Sequence, residues 1–115
     1  GDGEQTRDFT FVSNVVRGNI NAAFATNDEA FNQVYNMAVG GRTSLNILVD
    51  ILKDISGVDI EVIHGESRTG DVRDSLADIS KAREFLGYEP EVQIREGLKI
   101  TLDWFRNNQA FINKE

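Results

Sequence analysis

Apolar residues recur along the chain at spacings that switch between extended and helical. Phe9-Thr10-Phe11-Val12 is a β-favouring run that predicts a short strand. Val12, Val15, Val16, Ile20, Ala23 and Phe24 follow at helical intervals and predict a helix over about 13–25. Asn27, Asp28 and Glu29 break the pattern, and the Val, Tyr and Val positions within Gln33–Val39 suit a buried strand that Gly40 and Gly41 end. Thr43 or Ser44 can cap a second helix by accepting a bond from a free backbone N–H. Leu45, Leu48, Leu52 and Ile55 then form its apolar stripe, with Gly57 as terminator. Ile60 and Val62 alternate with Asp59 and Glu61 as in a half-exposed strand, and Gly65 opens a polar loop. Asp78 caps a short helix from Ile79 to Leu86, stopped by Gly87 with Pro90 beyond. A last helix runs from about Ile94 to Asn107 and buries Ile94, Leu98, Thr101, Leu102 and Phe105, with Trp104 at the rim of the stripe.

Strands alternating with helices predict an α/β arrangement with a partly parallel sheet. Three short strands make a marginal sheet, so at least one edge is expected to remain open for a partner or a further domain.

Composition narrows the picture. At 115 residues, 40% apolar and 27% charged, the chain carries enough core for one modest domain, residues 1–115. No run approaches the roughly 18 apolar residues a membrane helix needs, so no membrane partner is expected. There is no cysteine, which removes disulfides and thiolate metal sites and fits a reducing cytoplasm. A net charge of −7 argues against nucleic acid, whose phosphates call for many Lys and Arg side chains. A phosphate-bearing ligand would need locally placed arginines. No secretory signal is visible, and Gly1-Asp2-Gly3-Glu4-Gln5 reads as the interior of a longer sequence.

Catalysis is hard to assemble from these residues. His64 is the only histidine, and its place between a strand and Gly65 favours a surface or packing role. No glycine-rich dinucleotide fingerprint, P-loop or His-Glu-x-x-His occurs, and the carboxylates show no pairing that spacing selects. Three arginine-bearing segments carry more. Arg7, at the entry to a strand, could bind a diphosphate bidentately or pair locally with Asp8. Ser67-Arg68-Thr69-Gly70-Asp71 could turn tightly and aim Arg68 at phosphate and Asp71 at sugar hydroxyls, or be an ordinary solvent loop. Gly40-Gly41-Arg42-Thr43-Ser44 places glycines and a cation at a helix start, where unpaired N–H groups favour anions.

Read in order, Gly1 to Val12, Val34-Tyr35-Asn36, Gly40 to Asn46 and Gly70 to Ala82 resemble the carboxy-terminal part of nucleotide-sugar epimerases and dehydratases, extended short-chain dehydrogenases/reductases. Leu86 to Pro90 and Gly97 to Phe105 carry the resemblance to the end. It implies an α/β carboxy-terminal portion with few short strands and about four helices, without the Rossmann nucleotide-binding half. It also implies that Arg7 and Arg68 clasp a substrate diphosphate while Asp71 approaches the ribose. Asn32 to Asn36 with Gly40 to Asn46 looks most like the UDP-N-acetylglucosamine 4-epimerase branch. Ser75 then falls at the sugar-pocket position where bulk excludes an N-acetyl group, the alternative being that it simply begins a strand or turn.

The implied reaction oxidises and re-reduces the sugar C4 through NAD, and it needs a glycine-rich loop and a Tyr-x-x-x-Lys pair. Lys81 and Lys99 follow Ala77 and Arg95 by four residues, not a tyrosine. The expectation is therefore a UDP-sugar-binding part, inactive by itself, whose NAD is held by a missing amino-terminal domain and not by this chain; the alternatives are a free-standing nucleotide-sugar-binding module, or the corresponding part of a UDP-glucose 4-epimerase, nucleotide-sugar dehydratase or decarboxylase. Cell-surface polysaccharide precursor synthesis is the pathway class the resemblance implies. Ser13-Asn14 stands where relatives often carry acidic residues. Apolar surfaces that would lean on the missing half are expected to be exposed, with self-association as the consequence.

Overall fold

A computed structural model describes residues 1–109. In chain order it contains β1 (Thr6–Arg7), α1 (Val12–Ala23), a single 3₁₀ turn (Asp28–Ala30), β2 (Thr43–Ser44), α2 (Leu45–Ser56), α3 (Ser80–Leu86) and α4 (Ile94–Asn107). The helices lie close to where periodicity put them. Ser44 caps α2 by accepting the Ile47 N–H at 3.2 Å. Asp78 takes the Ser80 N–H at 2.9 Å at the start of α3, and Gly57 and Gly87 end α2 and α3 in the left-handed region.

The strands are where expectation and structure part. The sheet is two residues deep and antiparallel, Thr6 opposite Ser44 and Arg7 opposite Thr43, with a single parallel bridge from Thr6 to Asp74. None of the three predicted segments, 9–12, 33–39 and 60–62, is a strand, and the partly parallel sheet is not formed. A strand exists only in a ladder, and no neighbouring strand lies beside these segments among the described residues. The Val39 and Gly40 N–H groups are instead taken by the Asp8 carboxylate at 3.1 and 3.0 Å. Ile60 and Val62 stay exposed.

The core is small. Ala38, Ile79, Ala82 and Tyr88 are buried together, and Tyr35, Met37 and Ala77 pack around them. Tyr88 is fully buried, and its hydroxyl donates to the Ala38 carbonyl at 2.8 Å. Burial first, and then the nearby negative charge of Asp8, pushes its phenol above the ordinary tyrosine range.

Helix α1 leaves its apolar stripe uncovered, as expected of a surface that would lean on a further domain. Its inward face is Asn14, Gly18 and Asn21, one helical stripe. Asn14, 1% exposed, clamps residues 91–92. Gly18 lets Met37 pack so closely that a Cβ there would sit 2.4 Å from its sulfur. Asn21 donates to the Leu86 and Gly87 carbonyls that end α3. The apolar stripe faces outward instead, with Val12 65%, Val16 51%, Ile20 52% and Phe24 79% exposed. In α4 the stripe is only partly covered. Ile94, Leu98 and Leu102 are half-buried, while Thr101 and Phe105, expected inside, are exposed with Trp104.

The outcome is an open shape. The Cα radius of gyration is 17.2 Å, against about 13 Å for a compact chain of this length. The accessible surface is 8333 Å², about 2,000 Å² more than a folded monomer of this mass exposes.

Candidate functional site

The two ends of the site are joined by hydrogen bonds across 64 residues of sequence. Thr6 donates its N–H to the Arg73 carbonyl at 2.8 Å and accepts the Ser75 N–H at 3.2 Å, which lays the 73–75 segment against β1. The Arg7 guanidinium then reaches over it. One terminal nitrogen donates to the Thr6 carbonyl at 2.7 Å and to the Arg73 carbonyl at 3.4 Å. The other meets the Asp71 carboxylate at 2.7 Å. The side chains remain 31% and 40% exposed, so the pair is a geometric tie more than a source of stability.

Beside this pair lies a cleft of about 440 Å³ lined by Asp2, Gln5, Glu66, Arg68, Asp71 and Arg73, among others. Arg73 is engaged by Asp2 at 3.2 Å. The Glu4 amide, and after it the Arg73 guanidinium, hold the Asp2 carboxyl below its ordinary range. Among the described residues Arg68 makes no ion pair. A fully charged guanidinium facing a cleft without an internal partner is what an incoming anion requires.

Arg68 and Asp71 thus line one cleft, and Arg7 adjoins it through Asp71 without lining it. The local alternative for Arg7 is not what forms, because Asp8 turns away to the Val39, Gly40 and Ala77 amides. Ser75 is exposed, holds β1 through its backbone, and does not line this cleft. Arg42 is exposed at the β2 edge, and Ser44 already occupies the α2 start it was expected to share with an anion. Sequence spacing missed Asp8, Asn46 and Arg73. The first two act through bonds to backbone and to other side chains, which leave no periodic trace. Arg73 stood two residues beyond Asp71 and could have been found by counting cations in the loop.

A dinucleotide cofactor needs an open glycine turn against which a pyrophosphate can lie. The Gly1-Asp2-Gly3 turn is not open, because Asn46 fills it: a Cβ on Gly3 would meet the Asn46 amide oxygen at 2.0 Å. At Gly40 a Cβ would meet Ile79 at 3.2 Å. Neither of these two turns gives a pyrophosphate open backbone, and the open glycines Gly65 and Gly70 belong to no glycine-rich dinucleotide fingerprint.

The family model described as GDP-mannose 4,6 dehydratase matches residues 1–101. A putative UDP-glucose 4-epimerase of Methanocaldococcus jannaschii is 41% identical over 94% of this chain and 33% of its own length. The crystal structure of UDP-glucose 4-epimerase with UDP-glucose from Thermotoga maritima is 43% identical, with a TM-score of 0.86 over 95% of this chain and 34% of that one. The UDP-glucuronic acid 4-epimerase of Bacillus cereus, solved with UDP-glucuronic acid and NAD, is 32% identical, with a TM-score of 0.85 over 93% of this chain and 34% of that one. The chain spans about a third of the length of the relatives it matches. On that match through residue 101, and on folds that superpose along nearly its whole length, the chain belongs to the NAD-dependent epimerase/dehydratase family of extended short-chain dehydrogenases/reductases.

Proposed function

We propose that this chain is the substrate-binding part of an NAD-dependent UDP-sugar 4-epimerase of the cytoplasm, and that it binds the nucleotide sugar without turning it over. The observation that carries the reading is the Arg7–Asp71 contact at a cleft where Arg68 is uncommitted. Arg7 and Arg68 clasp the diphosphate and Asp71 approaches the ribose. Full charge and planar donors suit both guanidiniums to two phosphates. NAD and the oxidation of the sugar belong to an amino-terminal Rossmann half, since this sequence carries no glycine-rich dinucleotide fingerprint.

The sugar is the finer point. We assign UDP-N-acetylglucosamine and UDP-N-acetylgalactosamine on the small side chain of Ser75, which leaves room for an acetamido group when the second half closes the pocket. UDP-glucose, or UDP-glucuronic acid as in the Bacillus cereus relative, is the alternative.

Calorimetric titration separates these readings. UDP-N-acetylglucosamine should bind the chain, and Arg68→Ala should weaken it at least about tenfold, the loss of a charged hydrogen bond. Equal affinities for wild type and variant would remove the site assignment. In the protein joined to its Rossmann half, Ser75→Tyr should lower affinity for the N-acetylated sugar and spare UDP-glucose. A loss shared by both would refute the acetamido pocket.

We further propose that the outward stripe of α1 is where the Rossmann half docks, and that the chain alone covers it by self-association. Light scattering should show mass rising with concentration. A constant monomer mass over a wide range would end that proposal.

A further inference from the structure

The loop that presents Arg68 is held at two places, one of them through its backbone, where the Gly1 amino group donates to the Gly65 and Glu66 carbonyls at 2.9 and 3.2 Å. Residues 60–70 are exposed throughout. Among the described residues, their side chains make a single hydrogen bond to the rest of the protein, from the His64 ring nitrogen Nε2 to the Asn46 amide oxygen, 3.2 Å. Asn46, in the first turn of α2, is in turn bound on its other side. Its amide nitrogen donates to the Asp2 carbonyl at 3.1 Å and to the Glu4 carboxylate at 2.5 Å, and its backbone N–H donates to the Gly3 carbonyl at 3.0 Å.

These contacts fix the orientation of the Asn46 amide and the tautomer of His64. Two oxygens face the Asn46 nitrogen, so the amide cannot be flipped. Its oxygen, which only accepts, therefore faces His64, and His64 must carry a hydrogen on Nε2. The position of Asn46 is itself over-determined. Gly3 has φ of +76°, and its missing Cβ leaves the space that the Asn46 side chain occupies. Asn46 thus joins the stretch bearing Asp2, which engages Arg73, to the loop bearing Arg68.

We infer that Asn46 and His64 are positioning residues for the anion cleft: Asn46 holds His64, and His64 holds the Arg68 loop where a diphosphate meets it. The inference rests on the UDP-binding reading of the cleft and adds two residues that touch no phosphate in it.

UDP is the probe, titrated calorimetrically into the 115-residue chain and its variants, with thermal midpoints recorded alongside. His64→Ala should weaken UDP about 2- to 10-fold, the worth of one hydrogen bond, without moving the thermal midpoint. His64→Gln, whose amide can still donate to Asn46, should recover most of that loss. Asn46→Ala should weaken UDP at least as much. In ¹⁵N spectra the His64 ring should carry its hydrogen on Nε2 in the wild type and lose that preference in Asn46→Ala. Unchanged UDP affinity in His64→Ala, with Arg68→Ala still weakened, would overturn the positioning role and leave the UDP reading standing. If Arg68→Ala also binds normally, both fall. A wild-type ring protonated on Nδ1 would overturn the inference without any ligand.

Discussion

Replacing Asn14 by alanine is expected to cost about 3 kcal/mol of stability, the largest effect of any single polar side chain here. Its amide oxygen accepts the Glu91 and Val92 N–H groups at 3.0 and 3.1 Å, and its nitrogen donates to the Val92 carbonyl at 2.7 Å. Alanine would strand three backbone groups in a place water reaches poorly, since Asn14 is 1% exposed. The groups belong to the turn after Pro90 that leads into α4, so α4 should loosen with them. Asn14→Asp is the informative second variant. A carboxylate can accept the two N–H groups but has no hydrogen for the carbonyl, and it would bring a negative charge to an oxygen 2.7 Å from the present nitrogen. Aspartate should therefore also destabilise. Urea unfolding measures both, and hydrogen exchange at Glu91 and Val92 localises the loss. Aspartate as stable as asparagine would mean that only the two accepted bonds matter.

Removing the Asp8 carboxylate should be nearly as damaging, at about 2–3 kcal/mol for Asp8→Ala, because charged acceptors make the stronger bonds. Its two oxygens gather the Val39, Gly40 and Ala77 N–H groups at 3.1, 3.0 and 3.5 Å, drawing two segments distant in sequence onto the core. Asp8→Asn keeps one acceptor oxygen and should lose about half as much. Tyr88 supplies a check that stability alone does not. Burial is the main cause that raises its phenol and the Asp8 charge the second, so Asp8→Ala should lower the tyrosinate transition in ultraviolet titration while leaving it above the ordinary range. An unchanged Tyr88 titration would show that the carboxylate does not sense the core.

The helices were legible because each is decided locally. Ser44, Gly57 and Gly87 act within a turn of their own helix, and an amphipathic period is written in the residues themselves. The strands were not legible, because Gln33–Val39 and 60–62 are extended by composition but can pair only with chain that is not beside them. For α1 the period gave the helix, and the exposure of its apolar stripe was expected from the resemblance, not from the period. Apolar residues mark the buried side only when the partner lies in the same chain, and here the signal for the inward face was Asn14, Gly18 and Asn21 at one helical spacing. At the site, guanidiniums and their loop motifs were visible in sequence. Their mutual distances were not, because they depend on Thr6 bonding to the 73–75 backbone. Asn46 and Asp8 could be found only once the backbone they hold was in place.

The Arg7–Asp71 contact also bears on how the site comes into being. It closes a loop of 64 residues, an entropic cost on the order of 4 kcal/mol before any contact repays it. No local piece of the chain can pre-form the clasp, and contacts of such sequence separation belong to the late, slow part of folding. Competence to hold a diphosphate should therefore arise together with the global fold and vanish with it, so that a bound nucleotide acts as a reporter of the fully folded population.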